Sequence, residues 1–221
     1  MSAGARTPVD AHVGEVAARL RGPARLRADL LAEVRAGLDD AANTHRRRGL
    51  GAEAAQRRAV EEFGAVDDVA PAFQEQLAVA QARSTARLLL LAFPGLLLGW
   101  DLVWSSGAAW SEPAPVVLVL ARVQDAVSVG AGVLAVAALV LLARGARRPG
   151  GSRGTVLAVG VLGAVAAAAS SATAVVMNVV GDGAADLLAG EPLAAVAYAV
   201  TAAALVLVLR SVARTLAVAA R

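Results

Sequence analysis

Four long apolar stretches occupy most of the chain after Arg87: residues 87–104, 116–143, 155–180 and 192–209. A helix needs about 20 mainly apolar residues to cross a hydrocarbon core about 30 Å thick. The shortest stretch, RLLLLAFPGLLLGWDLVW, is just long enough with its interfacial flanks. A buried helix of a soluble protein would show a polar face at these lengths, and none of the four does. The pattern therefore predicts four membrane spans. The chain is 57% apolar and 18% charged, too apolar for an ordinary soluble domain.

Arginine and lysine are retained on the cytoplasmic side of membrane loops, so the connections predict an orientation. The loop between spans two and three carries Arg144, Arg147, Arg148 and Arg153, and the segment after span four carries Arg210, Arg214 and Arg221. The loops after spans one and three carry Glu112 in one case and Asp182, Asp186 and Glu191 in the other, with no basic residue. The expectation is a multi-pass protein of the cell membrane with both termini in the cytoplasm, residues 210–221 forming a basic tail. The first residues lack the apolar core of a signal peptide.

Charges within a bilayer are expensive and often mark function. Asp101, Arg122 and Asp125 are the candidates. Arg122 and Asp125 stand three apart and share a helix face, so a buried ion triad with Asp101 is one reading. The other starts span two proper at Ala126, whose 18 residues to Ala143 already cover about 27 Å. The three charges then sit among headgroups, at the level of Trp100, Trp104 and Trp110, and we take this reading. Asn178, late in span three, is expected to make an interhelical hydrogen bond.

The spans are rich in small residues: Gly95 and Gly99 in a GxxxG spacing, Gly130, Gly160, Gly163 and the run AAAASSATA from Ala166. Small residues let helices approach closely, which serves a homodimer or packing within one four-helix bundle. Paired interrupted half-helices, the mark of many transporters, are not evident.

Residues 1–86 have a different composition, with 13 arginines against 12 acids through Arg87. That balance lacks the concentrated basic surface that nucleic-acid binding uses, and no direct nucleic-acid contact is expected. Four short helices are legible. Asp10 is expected to cap the first, with Val13, Val16, Ala17 and Leu20 on one stripe, and Gly22-Pro23 separates it from the second. The second places Leu26, Leu30, Val34 and Leu38 on one face with Leu31 and Ala41 alongside, and ends in Arg46, Arg47 and Arg48, which complement the helix dipole. The third, from about Ala52, turns Ala55, Ala59, Val60 and Phe63 inward and stops at Gly64. The fourth begins near Asp67 and continues past Phe73, Leu77 and Ser84 into the first span. The fold class expected is all-α, a small cytoplasmic helical bundle followed by a four-helix transmembrane bundle.

Several chemistries are disfavoured. The chain has no cysteine, which excludes disulfides, thiolate nucleophiles and cysteine-based metal sites. His12 and His45 lie in different helices without HExxH-like spacing, and no glycine-rich phosphate loop or GxSxG elbow occurs. Ser170 and Ser171 have no histidine, aspartate or lysine nearby in their span. No enzyme activity, cofactor or metal is expected.

The segment RLRGPARLRADLLAEVRAGLDDAANTHRRRGLGAEAAQRRAVEEFGAVDDVA resembles the HAAS signalling domain, also described as permease prefix domain 1, of actinobacterial membrane proteins. The resemblance covers roughly residues 8–80. It rests on Glu33 and Val34 in the leucine-rich helix, the Gly49-Leu50 turn, the Ala59-Val60 pair, and Glu62-Phe63-Gly64 followed by acidic residues and Val69-Ala70. It implies a regulatory role, because proteins similar to this are commonly membrane partners of PadR-type winged-helix regulators. Others carry the domain as a prefix to permease-like segments. The implied function is a membrane-embedded sensor or co-regulator that docks such a regulator. Exposed groups on helices two and three are the expected contacts: Arg46, Arg47, Arg48, Arg57, Arg58, Glu61 and Glu62. Alternatives are a small permease or accessory subunit of a transport complex, and a structural protein that oligomerises. Membrane lipid is expected around the spans.

Overall fold

A computed structural model describes residues 6–106, 115–145, 153–180 and 192–219. Among these the chain forms seven helices and no strand: α1 Pro8–Arg19, α2 Ala24–Arg47, α3 Ala52–Phe63, α4 Val66–Ser105, α5 Pro115–Gly145, α6 Arg153–Val180 and α7 Pro192–Ala219. The protein is all-α, as expected. It divides into two compact units, Met1–Ala78 and Val79–Arg221, with α4 contributing to both.

The N-terminal unit owes its helix ends to local chemistry. Thr7, not Asp10, caps α1. The Thr7 hydroxyl accepts from the Asp10 backbone N–H at 3.2 Å and donates to the Asp10 carboxylate at 2.8 Å. Pro8 then occupies the first helical position, where its missing N–H costs nothing and its fixed φ is already helical. Asp10, one turn in, also pairs with Arg35 of α2 at 2.5 Å. The Thr7 hydrogen bond and the Arg35 guanidinium hold its carboxyl below its ordinary range.

At the other end of α2, Gly49 takes φ +98°. The Gly49 N–H reaches the Arg46 carbonyl at 3.0 Å and the Leu50 N–H reaches the His45 carbonyl at 3.2 Å. These are the two bonds of a Schellman closure, which explains glycine at this position.

The core of this unit has two connected patches. Val9, Val13, Val34 and Leu38 form one, and Val16, Leu20, Val66, Ala70 and Leu77 form the other, with Leu30, Leu31 and Phe73 packed against both. Ala55 and Ala59 bring α3 close to its neighbours. Leu26 departs from the expected stripe and is 42% exposed. It lies in the first turn of α2, ahead of the positions where that helix meets the core.

In the second unit, four helices are long and apolar enough to cross a membrane: α4, α5, α6 and α7. This is a multi-pass membrane architecture. Helix directions alternate, and specific contacts fix the neighbours. Leu89 and Phe93 of α4, Ala131 and Ala135 of α5, Ala166 and Ala167 of α6, and Val208 and Val212 of α7 share one core. Gly160 and Gly163 allow α6 to approach α7. A Cβ at Gly163 would lie 2.5 Å from the Val212 side chain, and one at Gly160 would lie 2.6 Å from Leu216. By contrast, a Cβ at Gly95 or Gly99 would meet nothing within 4 Å among the described residues, so their GxxxG spacing serves no close helix approach there.

Two expected boundaries move. The division between units falls at Ala78, not residue 86, because Gln81, Ala82, Thr85 and Ala86 are buried within the second unit. Residues 210–219 are not a separate tail. Helix α7 continues to Ala219, and Val212, Thr215, Val218 and Ala219 are buried. Both shifts have one cause: polar and small residues, which read as the end of an apolar span, here pack helix against helix.

Candidate functional site

The turn that closes α2 displays the group of cations singled out by the sequence. Arg46, Arg47 and Arg48 are all exposed. The Arg47 guanidinium donates to the Thr44 hydroxyl at 3.0 Å, and Thr44 in turn donates to the Asp40 carbonyl at 3.1 Å. None of the three arginines pairs with a carboxylate among the described residues. Leu50 follows in the same turn and is 39% exposed. Asn43, Arg46, Arg47, Leu50 and Ala52 line a shallow depression there. The arrangement offers an apolar anchor point beside two arginines that have no carboxylate partner among the described residues.

The remaining candidates, one helix away, have partners. Arg57 pairs with Glu53 at 2.5 Å. Arg58 pairs with Glu62 at 3.0 Å and with Glu61 at 3.4 Å. Glu62 also bonds the His45 ring at 2.9 Å, which ties α3 to the end of α2. That hydrogen bond, aided by the Arg58 charge, holds the Glu62 carboxyl below its ordinary value. His45 itself is buried. Glu62 thus has a structural task, and Arg57, Arg58 and Glu61 form an exposed, internally neutralised strip along α3.

The other residues quoted for the resemblance divide by burial. Val34 and Ala59 are in the core, Val60 and Phe63 are half-buried, and Glu33 is exposed. Phe63 meets His12 of α1 edge-on at 5.6 Å and stacks against Phe73 at 6.5 Å, so it joins three helices. Gly64 takes φ +104° and ends α3. Gly49 and Gly64 are required by backbone conformation, and Leu50 is the one apolar motif residue that the fold leaves exposed.

In the bundle, Asp101 and Arg122 are exposed and Asp125 is half-buried. No ion pair joins them, so the triad is not assembled. Asn178 accepts from the Tyr198 hydroxyl at 2.9 Å, an interhelical bond between α6 and α7. Trp100 stands edge-on to Tyr198 at 5.0 Å and donates to Thr201 at 3.1 Å. Trp110 and the charged residues Glu112, Arg147, Arg148, Asp182, Asp186, Glu191 and Arg221 lie outside the described residues.

Two polar networks were missed by the sequence reading. Near the α4 entry to the bundle, the Thr85 hydroxyl is 2.6 Å from that of Ser211 and 2.8 Å from that of Thr215, and the Gln81 amide donates to the Ser211 carbonyl at 3.3 Å. Farther along, the Gln124 amide donates to Ser170 at 3.1 Å and Ser128 at 3.3 Å. The first network had a legible signal: Gln81/Thr85 and Ser211/Thr215 are both i,i+4 pairs, each placing two polar groups on one helix face.

Comparison with protein-family models, with curated proteins and with solved structures found no match for this chain.

Proposed function

We propose that the chain is a membrane-embedded co-regulator whose N-terminal helical unit captures a PadR-type winged-helix transcriptional regulator. The observation that carries this reading is the exposed Leu50 in the same turn as Arg46, Arg47 and Arg48, arginines without a carboxylate partner among the described residues. Protein interfaces place an apolar anchor within a polar rim and favour arginine. The partner surface should therefore be acidic around an apolar pocket. The resemblance to the HAAS domain, centred on the same Gly49-Leu50 turn, supports the choice of a regulator as partner. In this reading both termini are cytoplasmic and the regulator supplies the DNA contact. The spans would sense a signal by favouring one bundle arrangement through differential interaction energy.

The test is capture of partners by the tagged full-length chain from native membranes in mild detergent, beside a chain lacking residues 1–78. Recovery of a winged-helix regulator with the full chain alone is expected, with recovery reduced at least about tenfold by replacing Arg46, Arg47, Arg48 and Leu50 with alanine. Equal recovery by the truncated chain overturns the reading.

A further inference from the structure

At one end of the transmembrane bundle, arginines gather without acids. Arg87, Arg144, Arg153, Arg210 and Arg214 are exposed and unpaired among the described residues, while Arg83 donates to the Leu142 carbonyl at 3.0 Å. The described carboxylates of this unit, Asp101 and Asp125, lie farther along their helices toward the opposite end.

Helix contacts set the level of each cation. Thr85 lies against Ser211 and Thr215, so Arg87, Arg210 and Arg214 fall within about 3 Å of that contact along the axis at about 1.5 Å per residue. Gly160 sits beside Thr215 and Leu216, which places Arg153 about 10 Å farther out. Gly132 meets Pro94, so Arg144, twelve residues on, lies about 4–5 Å outside Thr85, between Arg153 and the rest. The cations are thus staggered around the ends of apolar helices. The stagger is wide enough to span a headgroup layer of about 5–7 Å, and arginine stems add further reach.

We propose that this collar binds anionic phospholipid headgroups in the folded protein, with the phosphates held among the staggered guanidinium groups. Arg210 and Arg214 are four apart on one helix, and such like-charge pairs repel, so an anion between them relieves a cost already present. The guanidinium fork matches phosphate oxygens bidentately. Orientation during insertion requires positive charge but no lasting lipid contact. A lipid site predicts selectivity that persists at equilibrium.

The experiment uses the full-length protein reconstituted with phosphatidylcholine and a minor fraction of phosphatidylglycerol, counting co-purified lipids after mild delipidation by native mass spectrometry. Phosphatidylglycerol should be retained about threefold to tenfold over its share of the mixture at low salt. The excess should shrink toward the bulk ratio at about 1 M salt, where the screening length falls to about 3 Å. The triple variant Arg87→Gln/Arg210→Gln/Arg214→Gln should lose most of it, and the corresponding lysine variant should keep a substantial part. If the glutamine variant fails to insert, the salt titration of the unaltered protein decides alone. A wild-type ratio equal to the bulk mixture, or an excess unaffected by salt, overturns the proposal.

Discussion

In the N-terminal unit the core is built mainly from Val9, Val16, Leu20, Val34 and Leu38, while in the bundle the small residues Ala131, Ala135, Ala166, Ala167, Gly160 and Gly163 share the interior with Leu89, Phe93, Leu142, Val208 and Val212. Many other large apolar side chains of the bundle turn outward: Leu91 is 72% exposed, Leu98 68% and Val179 78%. The contrast follows from the medium. In water, burying a large side chain is the driving force. Lipid tails are as apolar as leucine, so helix association there depends on close backbone approach and interhelical hydrogen bonds, for which small and hydroxylated residues serve best.

Substitutions that exchange the two logics test this contrast. Leu38→Ala should cost about 3 kcal/mol in the stability of the N-terminal unit, read by amide exchange in the full-length protein, because Leu38 is 1% exposed within a core patch. The same truncation at Leu98 should change bundle stability by less than about 0.5 kcal/mol. Equal costs at the two sites would break the comparison. Next in size, Gly163→Ala should destabilise the bundle by about 2 kcal/mol in a denaturation series in mixed micelles, since its methyl would meet Val212. Gly99→Ala, whose methyl would meet nothing within 4 Å among the described residues, should have little effect.

Thr85→Val, which keeps shape and removes the hydroxyl, should cost about 1 kcal/mol by the same measurement. The smallest effect concerns acid. Because Glu62 is held below its ordinary value of 4.5, its contribution is fully present above that value and is lost as pH falls through the depressed folded value. Glu62→Gln should therefore lower the protection of α3 slightly at neutral pH and flatten its acid dependence below about pH 4.5, so that variant and unaltered protein converge in acid. An unaltered acid profile would remove the His45–Glu62 tie as its source.

The fold was legible where its causes are local. Gly22, Gly49 and Gly64, each with positive φ, mark helix connections that composition alone suggests. The four spans follow from length and hydropathy. Where two local solutions competed, the sequence did not decide: Thr7 and Asp10 both suit a cap, and only the position of Pro8 in the helix selects Thr7. The boundary at Ala78 and the burial of Thr215 were only partly legible: the i,i+4 pairs mark a polar face on each helix, but which faces meet has a distant cause. Thr85 and Ser211 are 126 residues apart in sequence, and hydropathy averaging reads each as a weakening of its own span. The candidate surface was half legible. Its arginine run is plain, and Glu61 and Glu62 one turn from Arg58, against no acid one turn from Arg46, mark which cation is paired; the bond of Glu62 to His45 across the helix pair had no local signal.

The seam between α4 and α7 has a property that ion pairs lack. Thr85, Ser211 and Thr215 can each give or receive a proton, so the directions of their O–H bonds can reverse without displacing an oxygen. The heavy atoms are fixed while the hydrogens keep several equivalent arrangements. Joining the first and last spans largely through hydroxyls, with the Gln81 amide as a directional donor beside them, retains configurational freedom that a purely ionic contact would surrender. Loss of one hydroxyl also leaves the other two able to find new partners, so the join weakens by degrees instead of parting at a single defect.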